Sequence, residues 1–132
     1  MNRIIQQMQL ATGLAKPTKL ALIVRADIKL SKGKTAAQCS HATVACYEMA
    51  LKHCPIILNE WRNAGQPKIV LKVNDLTEME TLYKNSKSKN IIAEMVRDAG
   101  RTQVAAGTIT VMGIGPYYQS DIDLLVNHLK LL

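Results

Sequence analysis

Two short blocks of this chain hold side chains able to grip a phosphate, polarise a carbonyl and orient a water. The first is Ser31 to His41, SKGKTAAQCSH, with Lys32 and Lys34 flanking a glycine at a helix start. Unpaired backbone N–H groups and the positive end of the helix dipole favour an anion there, and the two lysines add charge at the same place. The second is Asp98 to Thr102, DAGRT, a carboxylate, a glycine, a guanidinium and a hydroxyl within five residues, followed by Thr110 in the next expected strand. If both blocks open on one sheet edge, Lys34 and Asp98 approach each other with Gln38, His41, Arg101, Thr102 and Thr110 around them, which makes an electrostatic and hydrogen-bonding site. Each block also has a plain structural explanation. The first can be a solvated helix start with Gln38 as a capping side chain and His41 packed at a helix interface, and the second can be a tight turn built on Asp98 and Gly100.

The helix that positions the first block is expected from Thr35 to about His53. Thr35 can cap it, Gln38 stands in the Ser/Thr-x-x-Glu/Gln capping-box position, and Cys54-Pro55 stops it. On helical spacing Lys34, Gln38, His41, Ala45 and Glu48 share one line. Ahead of it, Lys19 to Arg25, KLALIVR, reads as a buried strand, so the Lys34 block lies at the carboxyl end of a strand, where open α/β sheets bind ligands. A short helix from Pro55 to Ala64 holds Trp61, read as a packing anchor and not a base-stacking platform. Lys68 to Val73 is a second strand, and a helix from Asp75 to Lys87 is capped by Asp75 or Asn74. Lys84, Lys87 and Lys89 at its end suit the helix dipole. Asn90 to Val96 and Thr108 to Ile114 complete the strands, the last ended by Gly115-Pro116, and Ser120 or Asp121 caps a final helix to about His128. The expected fold is a compact, three-layer-like α/β domain with a mixed sheet of about four strands flanked by helices.

With 132 residues and 48% hydrophobic content the chain has length for one domain, 19–132, behind a lead of residues 1–18. Its formal net charge is +7, and Arg3, Lys16, Lys19, Arg25, Lys29, Lys32 and Lys34 face the single acid Asp27 in the first 47 residues. Such a field concentrates polyanions, nucleic acid above all. Three cysteines, Cys39, Cys46 and Cys54, are an odd number suited to a reducing compartment, and Cys39 and Cys46 lie about 10 Å apart along a helix, too far for a disulfide. No apolar run approaches the length of a membrane span. The cytoplasm is the expected compartment, with the mitochondrion as the alternative because the lead has no acid.

Several chemistries are excluded by spacing. A phosphate-binding G-x-x-x-x-G-K-[ST] loop needs glycine where Ile28 stands. Cys39, Cys46, His53 and Cys54 are strung along one helix and cannot surround zinc. Cys39 and His41, two residues apart, point to different faces and make no nucleophile pair. No metal or other cofactor is expected.

KGKTAAQCSHA at 32–42, GQPKIVLKV at 65–73, DAGRTQVAAGTITVMGIGP at 98–116 and the terminal HLKLL resemble the archaeal and eukaryotic type of peptidyl-tRNA hydrolase, the Pth2 family. The resemblance runs from Lys19 to Leu132. It implies a compact α/β domain, often a homodimer, and hydrolysis of the ester joining a peptide to the terminal ribose of tRNA. The family's functional lysine corresponds to Lys34, its aspartate to Asp98 and its threonines to Thr102 and Thr110, while Gln38, His41 and Arg101 fall on matching motif positions. In that chemistry Asp98 orients and deprotonates a water, Lys34 neutralises Asp98 and then stabilises charge on the ester, and Thr102 or Thr110 donates a hydroxyl. An ammonium beside a carboxylate also weakens it as a base, so the alternative is that Asp98 only positions the water; His41 is a competing base. Lys29, Lys32 and Arg101 are the expected phosphate contacts to the acceptor end. The rival from another class is a catalytically idle RNA-binding or protein-interaction module on the same fold.

Overall fold

The computed structural model describes residues 16–100 and 104–132. In chain order the elements are β1 (Thr18–Arg25), α1 (Lys32–His53), α2 (Pro55–Asn63), β2 (Lys68–Val73), α3 (Leu76–Ser88), β3 (Ala93–Arg97), β4 (Ile109–Tyr118), α4 (Gln119–Val126) and β5 (Lys130–Leu131). The sheet has five strands in the order β3-β4-β1-β2-β5. β1 and β2 are parallel and every other pair is antiparallel, so the sheet is mixed. The expected α/β class with helices on both faces holds, with one strand more than the four expected. That strand, β5, is only two residues long and pairs Leu131 with Leu71 and Lys130 with Lys72.

β1 lies in the middle of the sheet and is buried along nearly its whole length, which is why KLALIVR reads as an unbroken apolar run. Alternate residues serve two cores. Leu20, Leu22 and Val24 pack with Ala42, Cys46, Ala50, Leu58 and Trp61 beneath α1 and α2. Ala21 and Ile23 pack with Met79, Leu82, Ile122 and Leu125 beneath α3 and α4. Trp61 is buried, and its ring N–H donates to the Pro67 carbonyl at 2.9 Å, so it is an anchor and not a stacking surface.

Close seating of α1 follows from small residues. Its buried stripe is Gln38, Ala42, Cys46 and Ala50, at four-residue steps. Gly113 of β4 lies under it: a Cβ there would stand 2.6 Å from Cys46 Sγ and 3.3 Å from the Ala42 carbonyl oxygen. α3 is capped as expected, Asp75 accepting from the Glu78 N–H at 2.9 Å while Glu78 accepts from the Asn74 N–H.

Several boundaries differ from expectation; β3, for one, starts at Ala93 and not at Asn90. α1 begins at Lys32, and Ser31, not Thr35, caps it by accepting from the Lys34 N–H at 3.1 Å. β4 does not end at Gly115-Pro116 but runs through this cis peptide to Tyr118. α4 starts at Gln119 with no side-chain cap, so neither Ser120 nor Asp121 plays that part.

Candidate active site

α1 starts where β1 ends, and the sheet order puts β4 and then β3 beside β1. The turn after β3 therefore opens next to the first turn of α1. Asp98 is fixed at the base of that turn by its backbone: its N–H donates to the Thr108 carbonyl and its carbonyl accepts from the Gly107 N–H, each at 2.8 Å. Gly100 completes the turn with φ +81°, in the left-handed region, and its N–H donates to Asp98 Oδ2 at 2.7 Å.

This geometry leaves Asp98 Oδ1 facing α1, where it forms an ion pair with Lys34 Nζ. The Asp98 side chain is 0% exposed and that of Lys34 14%. A carboxylate so buried is tolerated only with charge and N–H partners, and the lysine and the Gly100 amide supply both.

One turn further along α1, Gln38 is buried and its side-chain amide donates to Thr110 Oγ1 at 2.6 Å. The Thr110 hydroxyl in turn lies 3.5 Å from the Val96 carbonyl. Gln38 thus ties α1 to β4 and, through Thr110, to the end of β3 just before Asp98. It is not the helix cap that its spacing from Thr35 suggested.

Of the other expected residues, His41 is exposed on α1 and makes no side-chain hydrogen bond or ion pair among the described residues, so the structure does not bring it into the pair. Lys29 and Lys32 are exposed at the mouth of the β1–α1 loop. Arg101 and Thr102 lie outside the described residues.

One contact that holds the site's loop was missed by sequence reasoning. Arg25, the last residue of β1, grips Asp27 with two N–H···O bonds of 3.0 and 2.8 Å and donates to the Ile109 carbonyl at 3.0 Å. It fastens the loop that leads into Lys32 and Lys34 to the first residue of β4. The only signal was a basic residue ending an apolar strand two positions before the chain's first acid. Hydrogen bonding from Arg25 holds the Asp27 carboxyl below its ordinary value of 3.8. A carboxylate with a depressed folded pKa stabilises above its unfolded value, and that contribution is lost as pH falls through the folded value. Thermal melting across pH should accordingly show the wild type more stable than Asp27→Asn at neutral pH, with the gap closing below about pH 4; a gap constant to pH 2 would contradict the pairing.

Cys39, Cys46 and Cys54 are free thiols, and burial pushes Cys46 up to about 12, so it is a packing residue with no thiolate to offer. Among the described residues no group of three or more His, Cys, Asp and Glu side chains could hold a metal ion. No helix among them is long and apolar enough to cross a membrane.

The family model for "Peptidyl-tRNA hydrolase PTH2" matches residues 18–132. The mouse (Mus musculus) protein "Peptidyl-tRNA hydrolase 2, mitochondrial" is 44% identical over 113 residues, covering 86% of this chain and 62% of the relative. "Peptidyl-tRNA hydrolase 2" of Saccharomyces cerevisiae is 41% identical over 119 residues, 86% of this chain and 57% of the relative. "Peptidyl-tRNA hydrolase" of Thermoplasma acidophilum is 43% identical over 114 residues, 86% of this chain and 97% of the relative. The chain spans about three fifths of the length of the mammalian relatives it matches, and almost all of the archaeal one. With the family model covering all but the first 17 residues, this chain belongs to the peptidyl-tRNA hydrolase PTH2 family.

Proposed function

We propose that this chain hydrolyses the ester joining a peptide to the terminal ribose of tRNA, with Lys34 and Asp98 at the reacting centre. The observation behind this reading is the buried Lys34–Asp98 ion pair, which joins the first turn of α1 to the turn after β3, segments remote in sequence. A salt bridge whose carboxylate is wholly buried is weak evidence for stability, so its place at an open loop edge points to chemistry.

In this reading Asp98 orients a water and takes up its proton as the water oxygen bonds to the ester carbonyl carbon. The carbonyl electrons move onto its oxygen, where Lys34 and the N-terminal end of α1 face the developing charge; one donor of that kind contributes about 3 kcal/mol. The tetrahedral carbon then expels the ribose oxygen, which takes from Asp98 the proton that came from the water and leaves as the free hydroxyl of tRNA. An ester is already reactive, so general-base help of about 10² to 10⁴-fold suffices once the substrate is placed. Gln38 and Thr110, both buried, position α1 against β4 beneath the pair. Thr102 or Thr110 supplies the hydroxyl donor to the ester. Lys29, Lys32 and Arg101 take phosphates of the acceptor end, which places tRNA without reading its bases. The activity is assigned to 19–132. The free thiols fit the cytoplasm, with the mitochondrion as the alternative.

Incubation of the chain with an N-acetyl-aminoacyl-tRNA tests this. The expected products are deacylated tRNA and the free N-acetyl-amino acid, at a rate that falls steeply with added salt because phosphate binding releases counterions. Binding of tRNA with no cleavage would instead identify an idle RNA-binding module, and a flat salt profile would overturn backbone recognition.

A further inference from the structure

The register of the sheet gives one row of laterally adjacent residues across all five strands: Val96, Val111, Val24, Lys72 and Lys130. Neighbours in such a row point to the same face. The three valines belong to the core beneath α1. Past β1 the helix no longer covers this face, and the row continues as two exposed lysines directly opposite each other. Like charges in that arrangement repel. Among the described residues neither lysine has a carboxylate within ion-pair distance: Glu78, which lines the same 310 Å³ cleft, already accepts from the Asn74 N–H, and the cleft's other basic side chain is His128.

A lysine on an edge strand can serve to discourage pairing with another sheet, and that accounts for Lys130. It does not account for Lys72, because β2 is an interior strand flanked by β1 and β5. Beside the two lysines runs a groove of about 780 Å³ with Val70 and Leu132 among its lining residues and Lys32 at its rim. Lys32 lies in the first turn of α1, as Lys34 does, and the groove between it and the lysine pair is lined mainly by apolar side chains. By strand spacing Lys72 lies about 10 Å and Lys130 about 15 Å from β4, along the row that begins beneath α1.

We propose that Lys72 and Lys130 form a second phosphate-binding point for the tRNA, holding the strand that leads away from the terminal ribose. The proposal rests on the peptidyl-tRNA reading above. The anion relieves the repulsion between the two ammonium groups, and the contact is to backbone phosphate, which gives affinity without sequence preference.

The test is the full chain carrying Lys72→Gln and Lys130→Gln together, measured for tRNA binding from low to moderate salt and for turnover. With two fewer ammonium groups on the phosphate backbone, the slope of log affinity against log salt should flatten by about 1.4 to 1.8. KM for peptidyl-tRNA should rise several-fold while kcat moves far less, the melting temperature should hold or rise as the repulsion is removed, and Lys72→Arg with Lys130→Arg should restore the slope. An unchanged slope and KM in the double variant, with a wild type that cleaves peptidyl-tRNA, overturns this site alone. A wild type that binds tRNA without cleaving it overturns the hydrolase reading, whichever way the slope moves.

Discussion

Lys34→Ala and Asp98→Ala are each expected to lower turnover of peptidyl-tRNA by about 10² to 10⁴-fold, and the double variant to lose little more than either alone. In the proposed mechanism the two groups act as one device: without the ammonium the carboxylate loses the partner that holds it in place, and without the carboxylate there is no group to aim the water. Because the Asp98 side chain is wholly buried, removing its partner also threatens the fold; breaking a buried pair costs about 3 to 5 kcal/mol. Asp98→Asn separates the two effects. The amide keeps the shape and an oxygen to accept from the Gly100 N–H, but it has no charge and no basicity. Its NH2 then faces the Lys34 ammonium, so it should melt below the wild type but, measured where it is folded, bind tRNA with similar affinity and fail to turn over. Steady-state kinetics alongside thermal melting and tRNA titration check this, and additive losses in the double variant would mean the two side chains serve unrelated purposes.

Gly113→Ala should be the most damaging single methyl in the molecule's α1 interface. The added Cβ would lie 2.6 Å from Cys46 Sγ, so α1 must rise or its side chains must shift, at an expected cost of about 1 to 3 kcal/mol. The helix carries Gln38 and Lys34 with it, so the 2.6 Å bond to Thr110 should stretch and turnover should fall along with stability. Cys46→Ala removes the sulfur that the new methyl strikes. The double variant should therefore recover part of both losses, with a coupling of at least about 0.5 kcal/mol in a double-mutant cycle. The Ala42 carbonyl at 3.3 Å limits the recovery. Strict additivity would show that the clash is relieved elsewhere and that α1 is not held by this contact.

The parts legible in the sequence were those with a local signature. β1 and β2 are apolar runs, α3 has its cap at Asp75, and both polar blocks stand out by composition. The start of α1 misled because Ser31 and Thr35 are both good caps and Gln38 happens to sit three residues after the second. Only burial shows that Gln38 faces inward to Thr110. β4 was cut short because a Gly-Pro pair usually ends a strand, whereas here the chain passes through it and pairs on to Tyr118. A two-residue strand such as β5 has no periodicity to find. The approach of Lys34 to Asp98 was conditional on sheet order, which no local pattern encodes; β4 and β3 had to fall on the same side of β1 as the start of α1. The Arg25–Asp27 clamp is invisible for a similar reason, since its third contact is to a backbone carbonyl on another strand.

The most direct test of the shared reacting centre is single-turnover cleavage of peptidyl-tRNA in isotopically labelled water by the wild type and by Asp98→Asn, with tRNA binding measured on the same samples. The wild type should release peptide bearing the labelled oxygen in its new carboxylate, leaving none in the tRNA, while Asp98→Asn binds tRNA as tightly and releases peptide no faster than buffer. Release by Asp98→Asn at the wild-type rate would contradict the account.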